Sequence, residues 1–185
     1  MKYTKIFSLI LVLVVVGVAC KTEMVERIDE FNFEKGGYMR IVTPFPVTST
    51  TFKVSKKNMT GTKAEMVNEA VTPSRGSLFA NYDLEIRFVG ATTTAYKAFR
   101  SIPASAYAPD AATGYPRNTL IITGAEAMTA MALDTSKMVA GNKFEIKATM
   151  KLSNGKSFNA DNTGVNITGG AFYSSPFFYT LNVID

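Results

Sequence analysis

The sequence predicts an all-β protein: an immunoglobulin-like Greek-key β-sandwich with one short helix at about residues 124–133. From residue 38 onward, short runs rich in β-branched and aromatic residues alternate with turn signals at fairly regular spacing, which is typical of a sandwich or barrel. Eight tyrosines and 13 phenylalanines in a background rich in Thr, Ser and Gly favour strands and turns. Antibody domains carry an inter-sheet disulfide and a buried tryptophan. This chain has one cysteine and no tryptophan. The sequence therefore supports a sandwich of the general immunoglobulin-like type and not an antibody-type domain.

Strict alternation of polar and apolar residues marks the strongest strands, since it gives one buried and one solvated face. Leu78–Val89 shows it best, with Tyr82, Leu84, Ile86 and Phe88 on one face and Asn81, Asp83, Glu85 and Arg87 on the other. The remaining predicted strands are Tyr38–Val42, Thr51–Ser55, Tyr96–Ile102, Thr119–Ile122, Lys143–Leu152, Ser157–Phe158 and Phe177–Ile184. Residues 56–76 are predicted as a loop that contains an irregular strand at Glu65–Val71, and Ala104–Arg117 as an extended loop. This gives about seven or eight strands.

Two local motifs predict how the elements begin and end. Thr123-Gly124-Ala125-Glu126 is a capping-box pattern, in which Thr and Glu each bond the other's backbone amide at the start of a helix. Asn154-Gly155 follows the strand Lys143–Leu152 and predicts a hairpin with a type I′ turn, because both central residues of that turn need positive φ.

The N-terminus has the pattern of a secretory signal. Lys2 and Lys5 precede an apolar segment, Ile6–Val18, of the length found in a signal-peptide core and short for a membrane span. The residues before Cys20 resemble a bacterial lipobox, although Gly17 stands where leucine is usual. That resemblance implies that Cys20 is acylated and becomes the new N-terminus. The alternative is an ordinary signal peptide cleaved nearby, which would leave Cys20 as a free thiol.

These features predict three segments: a lipoprotein signal peptide at 1–19, the lipidated cysteine with a charged tether at 20–36, and a single β-sandwich domain at 37–185. Removal of the signal takes away two lysines and lowers the formal charge from +5 to +3. The excess is mild and scattered, which argues against a nucleic-acid partner. The chain has no histidine, so a Ser-His-Asp site, a Cys-His site and a histidine-ligated metal are excluded. No cofactor is predicted.

The candidate ligand-binding residues are aromatic and basic side chains in the predicted loops. Tyr107, Tyr115 and Arg117 lie in or beside the loop at 104–117, and Tyr173 lies in the loop at 169–176. A tyrosine ring offers a flat apolar face and a polar tip, which suits a sugar. The alternative is that these tyrosines pack back onto the sandwich.

Two further clusters of polar residues resemble functional sites, but an ordinary surface role is favoured for each. Asn159–Gly164 places several oxygen ligands in a loop, yet it has one carboxylate and falls short of a Ca²⁺-loop pattern; a solvated turn is favoured. Asp83 and Glu85 lie on the same strand face, as paired carboxylates for glycoside hydrolysis would. A solvated strand face balanced by Arg87 is favoured there, and no catalytic residue is predicted.

Several stretches together resemble the small β-sandwich lipoproteins of Bacteroidota that accompany SusC/SusD-type uptake systems. Besides the lipobox they are EKGGYMR (34–40), NYDLEIRFVG (81–90), IITGAEAMTAM (121–131), GNKFEIKATMKLSNGKSF (141–158) and FYSSPFFYTLNV (172–183). The resemblance implies an accessory surface protein that binds glycan or contacts an outer-membrane transporter.

The sequence therefore predicts a non-enzymatic protein, held at the outer membrane by a lipid anchor and facing the cell surface. Its expected partners are the membrane, through the lipid anchor, and either a transporter complex or a glycan. The alternative is an adhesin or fimbria-like structural subunit, which would use strand exchange or an exposed sheet edge. The weak alternation in residues 21–36 argues mildly against a donor strand.

Overall fold

The structure, a computed structural model, describes residues 37–43, 50–164 and 177–185. These residues belong to one compact unit that spans Gly36–Asp185. The predicted signal peptide, Cys20, the tether and Tyr173 lie outside the described residues.

Strands dominate the described part of the chain. They are β1 Tyr38–Thr43, β2 Thr51–Ser55, β3 Lys63–Val71, β4 Phe79–Val89, β5 Lys97–Pro103, β6 Ala108–Pro109, β7 Pro116–Thr123, β8 Lys143–Leu152, β9 Ser157–Phe158 and β10 Phe178–Ile184. The helical elements are the single turn α1 Pro73–Gly76, the helix α2 Gly124–Ala130, and 3₁₀ turns at Ala104–Ala106 and Thr135–Lys137. The described residues form ten strands in place of the predicted seven or eight, because β3 is a full strand and β6 lies where only a loop was predicted.

The strands form two sheets, and their order confirms the predicted immunoglobulin-like sandwich. The first sheet has the order β1-β3-β7-β6 and the second the order β2-β10-β8-β4-β5, with β9 paired to β8. Lettered in chain order, the first sheet is A-B-E-D and the centre of the second is G-F-C, as in an immunoglobulin domain. β5 takes the C′ position beside β4, and β2 runs parallel to β10 at the opposite edge.

The two sheets enclose one hydrophobic core. β4 contributes Tyr82, Leu84, Ile86 and Phe88; β8 contributes Phe144, Ile146, Ala148, Met150 and Leu152; and Phe177, Tyr179, Leu181 and Val183 extend inward from β10 and the residue before it. The four residues of β4 were predicted to share one buried face. The other sheet adds Met39, Ile41, Ala64, Met66, Leu120 and Ile122. Each large aliphatic or aromatic side chain buried here contributes about 1.5–3 kcal/mol.

A pair of tyrosines lies within this core. Tyr82 and Tyr179 are fully buried, and their hydroxyl groups are 2.7 Å apart. Burial raises the pKa of both hydroxyls well above the ordinary value, because the ionised form would be desolvated. Tyr82 therefore fills, on the C strand, the kind of core position that tryptophan fills in antibody domains, and its polar tip is satisfied by Tyr179.

The largest error of the sequence-based prediction concerns β3. Residues 63–71 form a regular nine-residue strand at the centre of the first sheet, where a loop with an irregular strand was predicted. Asn68 and Ala70 occupy inward positions, and both are fully buried. A polar residue and a small one at core positions weaken the apolar alternation, which concealed the strand.

Helix α2 begins as predicted and ends earlier. The Thr123 hydroxyl accepts from the Glu126 amide and the Glu126 carboxylate accepts from the Thr123 amide, which confirms the capping box. The helix stops at Ala130 because Ala132 adopts a left-handed conformation with φ of 53°. The Leu133 amide then bonds the Met128 carbonyl and the Ala132 amide bonds the Thr129 carbonyl, which is a Schellman motif. Alanine in place of the usual glycine hides this end from the sequence.

The hairpin after β8 forms where predicted but with another turn. Gly155 has φ of +83°, whereas Asn154 does not have positive φ, so the turn is not type I′. The Gly155 amide bonds the Leu152 carbonyl, and the Leu152 amide bonds the Lys156 carbonyl. This is the three-residue loop in which a turn is followed by a left-handed glycine.

Candidate functional site

Three connecting segments lie at one end of the domain. The segment between β3 and β4 contacts the loop between β6 and β7, since a Cβ built on Gly114 would lie 3.2 Å from the Cδ atom of Arg75. The turn after β8 joins them, because the Ser153 amide donates to the Leu78 carbonyl at 2.8 Å. We call the surface formed by residues 72–78, 110–115 and 153–155 the loop end.

Tyr107 lies in the core and not on this surface. Its side chain is 8% exposed, and its ring packs edge-on against Phe79 with centroids 4.7 Å apart. Burial raises the pKa of its hydroxyl above the ordinary value. The ring has no face open to a ligand, so the alternative that this tyrosine packs back onto the sandwich holds for Tyr107.

Arg117 serves the framework of the first sheet. It lies opposite Glu69 on β3, which in turn lies opposite Arg40 on β1. The Glu69 carboxylate is fully buried and bonds Arg40 on one oxygen and Arg117 Nε on the other, the latter at 2.7 Å. A buried carboxylate needs such partners. Arg117 is therefore used within the protein rather than held ready for a ligand.

The same arginine orders the loop between β6 and β7. Arg117 Nη1 lies 2.5 Å from the Asp110 carboxylate. That carboxylate also accepts from the Ala112 and Thr113 amides and the Thr113 hydroxyl, and these bonds, together with Arg117, hold its pKa below the ordinary value. The Gly114 amide bonds the Asp110 carbonyl at 2.8 Å. The loop therefore presents Gly114 and Tyr115 on a fixed backbone.

Tyr115 is the predicted ligand residue that the structure leaves partly exposed on the loop end. Within the described residues its hydroxyl has no hydrogen-bond partner and its ring has no aromatic contact. Tyr173 lies outside the described residues. Of the other predicted ligand residues, Tyr107 lies in the core and Arg117 has a structural role.

The outer face of the second sheet carries a ladder of charges. Arg87 bonds Glu145 on β8 through Nε at 2.7 Å, and Lys143 reaches the other oxygen of Glu145 at 2.7 Å. Burial opposes ionisation of Glu145, but these cations outweigh it and lower its pKa. Tyr96 lies between two cations, 4.6 Å from Arg87 and 4.9 Å from Lys147. The sequence suggested that Arg87 balances Asp83 and Glu85. In the structure Arg87 balances Glu145 instead.

A depression of about 540 Å³ opens on this face between β8, β4 and β5. It arises at a bulge, because Leu84 pairs with Arg100 and Glu85 with Ala98, which leaves Phe99 as an extra residue in β5. The small side chain of Ala98 beside Glu85 leaves the space open. The polar side chains that line it are Asp83, Glu85, Arg100, Ser101, Thr149 and Lys151.

Some of these polar groups are fixed and others are unused. Asp83 bonds Lys151 at 2.6 Å and the Ser101 hydroxyl at 2.7 Å. Glu85 is exposed, and neither its carboxylate nor the Thr149 hydroxyl has a hydrogen-bond or ion-pair partner in the part of the chain that the structure describes. The depression therefore combines a rigid ion pair with a free acceptor and a free hydroxyl.

Asp83 is a poor candidate for the acid of a glycoside hydrolase. Partial burial raises the pKa of Asp83, but hydrogen bonds from Lys151 and Ser101 outweigh it and leave the pKa below the ordinary value. Glycoside hydrolysis needs one carboxyl with a raised pKa that gives up a proton. Asp83 is ionised at neutral pH and serves as an acceptor.

The polar side chains of the loop at 159–164 form hydrogen bonds within the loop. Asn159 Oδ1 accepts from the Asp161 amide at 2.9 Å, and Asn162 Oδ1 accepts from the Asn159 amide at 2.8 Å. These are the bonds of a solvated turn. In residues 37–43, 50–164 and 177–185, no three Cys, Asp or Glu side chains are grouped as a metal site would require, and no helix is long and apolar enough to cross a membrane.

No protein-family model and no curated protein matches the chain. Among solved structures, the apo form of the Calx CBD1 domain is similar at 10% identity and a TM-score of 0.34, over 80% of this chain and 96% of that one. The twitchin kinase region from C. elegans is similar at 17% identity and a TM-score of 0.24, over 54% of this chain and 13% of that one. Neither similarity is high enough to carry a function to this chain.

Replacement of Glu69 by Gln should destabilise the domain strongly. The change removes the charge that two arginines share, and each guanidinium group is about a quarter exposed, so water compensates in part. We expect a loss of about 2–3 kcal/mol in the free energy of unfolding, measured by urea denaturation. Glu65→Gln is the matched control, since Glu65 lies on the same face of β3, is exposed and pairs with Lys63. Its effect should stay within about 0.5 kcal/mol, and equal effects would contradict the structural role of Glu69.

The Asp83 carboxyl should titrate below its ordinary pKa. Because the folded-state pKa is lowered, Asp83 stabilises the fold above a pH of about 3.9 and loses that contribution as the pH falls through its folded-state pKa. Carbon-detected NMR of the Asp83 side chain measures the midpoint directly. A midpoint above the ordinary value would contradict the assignment of Asp83 as an ionised acceptor and would restore it as a candidate acid.

Proposed function

We propose that this protein is a lipid-anchored, non-enzymatic surface protein that binds saccharide for a nutrient-uptake assembly of the outer membrane. The observation that carries the proposal is the depression on the outer face of the second sheet, where Glu85 and Thr149 present polar groups without protein partners. Its volume falls within the range of small-molecule sites.

The chemistry of the depression suits the hydroxyl groups of a sugar. A sugar hydroxyl donates to one group and accepts from another. The Glu85 carboxylate supplies an acceptor, the Thr149 hydroxyl supplies a donor or acceptor, and Lys151 supplies a cation at the rim. Asp83 accepts hydrogen bonds from Lys151 and Ser101, and these bonds hold the three side chains in place. Less conformational entropy is therefore lost when a ligand binds.

Binding without hydrolysis is supported by the hydrogen bonds that Asp83 accepts from Lys151 and Ser101. A carboxylate held by a lysine and a serine does not release a proton to a glycosidic oxygen at neutral pH. The same hydrogen bonds leave it well suited to fix the position of the ligand. We therefore assign the site to recognition rather than to turnover.

The location part of the proposal is supported by the sequence. The basic start, the apolar segment and Cys20 resemble a bacterial lipoprotein signal, and two or three acyl chains would anchor the protein firmly. The charged residues 21–36 would then separate the β-sandwich from the bilayer. A saccharide-binding domain held in this way would concentrate its ligand beside a transporter.

Strand exchange, as in the alternative adhesin or fimbrial function, is disfavoured by the outer strand β5. This edge has a bulge at Phe99 and ends at Pro103, and it carries Lys97 and Arg100. Bulges, prolines and basic residues protect a sheet edge against pairing with another chain. β5 is therefore a poor acceptor for a strand from a neighbouring subunit.

Saccharide binding should depend on the unused groups of the depression. Full-length protein solubilised in detergent is applied to a glycan array, and the best ligand is titrated by calorimetry. We expect Glu85→Gln and Thr149→Val to weaken binding by about five- to tenfold each, since the first replaces a charged acceptor by a neutral amide and the second removes a hydroxyl group. Thr119→Val, an exposed threonine on the first sheet, is the control and should bind normally. A flat response to every glycan would contradict saccharide binding and leave only a scaffolding role.

Replacement of Cys20 by Ser should release the protein from the membrane. The hydroxyl does not replace the thiol as the acceptor of the diacylglyceryl group, so labelled palmitate should enter the wild-type chain and not the variant. Fractionation of cells should then move the variant from the membrane to the soluble fraction. An unmodified Cys20 thiol in the mature wild-type protein, detected by mass spectrometry, would contradict the anchor.

A further inference from the structure

Arg75 differs from the other arginines that the structure describes. Arg40 and Arg117 bond Glu69, Arg87 bonds Glu145, and Arg100 bonds Glu126. Arg75 is exposed, and within residues 37–43, 50–164 and 177–185 its guanidinium group has no hydrogen bond or ion pair. It is the arginine of the described residues that keeps all of its donors for an outside group.

The backbone of Arg75 is strained. Its φ is 54°, in the left-handed region that glycine and asparagine adopt readily and arginine does not. Gly76, the next residue, also has positive φ, of 86°. Strain of this kind lowers stability and persists where the surrounding structure enforces it, most often at functional positions.

The side chain of Arg75 extends across the loop between β6 and β7. A Cβ on Gly114 would lie 3.2 Å from Cδ and 3.5 Å from Nη1 of Arg75, so the glycine makes room for the arginine. Gly114 has φ of +73°, and the next residue, Tyr115, is partly exposed. Since Asp110 and Arg117 fix this loop, the guanidinium group lies over a rigid support.

We propose that Arg75, Gly114 and Tyr115 form a second binding surface at the loop end, which recognises the carboxylate of an acidic saccharide such as a uronic acid. A guanidinium group presents parallel N–H donors that match the two oxygens of a carboxylate. Tyr115, which follows Gly114 in the chain, offers an aromatic ring with a flat face for the sugar ring. This inference rests on the proposed saccharide binding and adds the class of sugar.

The test compares a charged ligand with its neutral counterpart. Detergent-solubilised full-length protein is titrated with oligogalacturonate and with fully methyl-esterified oligogalacturonate, which keeps the sugar and lacks the charge. The wild-type protein should bind the charged form about ten- to a hundredfold more tightly, as expected for a charge-assisted bidentate contact. Arg75→Gln and Arg75→Asn should both abolish that preference. Lys137→Gln, which removes a different exposed positive charge, should keep it.

Thermal unfolding separates the binding contact from the fold. Asparagine tolerates left-handed backbone, so Arg75→Asn should raise Tm by about 2–4 °C, whereas Arg75→Gln keeps the strain and should leave Tm unchanged. Loss of the preference in both variants would then owe nothing to stability. A fall in Tm for Arg75→Asn would contradict the strain that we assign to this residue.

The remaining outcomes decide against the proposal in distinct ways. Equal binding of the charged and esterified forms by the wild-type protein would overturn the role of Arg75 and leave saccharide binding intact. Failure to bind any saccharide would overturn the proposed function and the inference together. A poly-glutamate peptide is titrated in the same way. If it binds the wild-type protein as tightly as oligogalacturonate does and does not bind Arg75→Asn, the ligand of Arg75 is an acidic protein and the proposal of an acidic saccharide is overturned.

Discussion

The first sheet and the loop end both depend on one buried carboxylate. Glu69 lies on the outer face of β3, where a charged side chain would ordinarily remain in water, yet it is fully buried. Removal of a carboxylate from water is costly unless cations and hydrogen bonds replace the lost solvation. Arg40 and Arg117 supply them from the two neighbouring strands, so β1, β3 and β7 are held in a register that keeps the three side chains opposite one another.

That constraint decides which arginines remain for a ligand. Arg117 is bound to Glu69 and to Asp110, and through Asp110 it fixes the backbone that carries Gly114 and Tyr115. A guanidinium group already bonded to two carboxylates has little left to offer a third. Arg75 lies across the fixed loop without a carboxylate of its own. The framework and the recognition surface therefore use different arginines, and the first determines the position of the second.

Regular alternation made most of the fold predictable from the sequence. In β4, apolar residues at every second position predicted both the strand and its buried face. β8 and β10 were predicted as strands, and the capping box at Thr123 predicted the start of α2. The errors fall where a residue departs from its usual role. Buried Asn68 hid β3, and left-handed Ala132 hid the end of α2. Arg75 gave no signal, because left-handed backbone at an arginine follows from tertiary packing and not from local preference.

The two proposed binding surfaces also lie where the regular pattern is broken. The extra residue in β5 at Phe99 shifts the register and opens the depression beside Glu85, and the left-handed turn at Arg75 extends its guanidinium group over Gly114. A regular sheet pairs its polar groups with one another, as Arg87 and Glu145 do, and leaves few for a ligand. A local irregularity in a strand separates a side chain from the neighbour that would lie opposite it in a regular sheet. Departures from local rules are expected at functional positions, and both proposed binding surfaces lie at such departures.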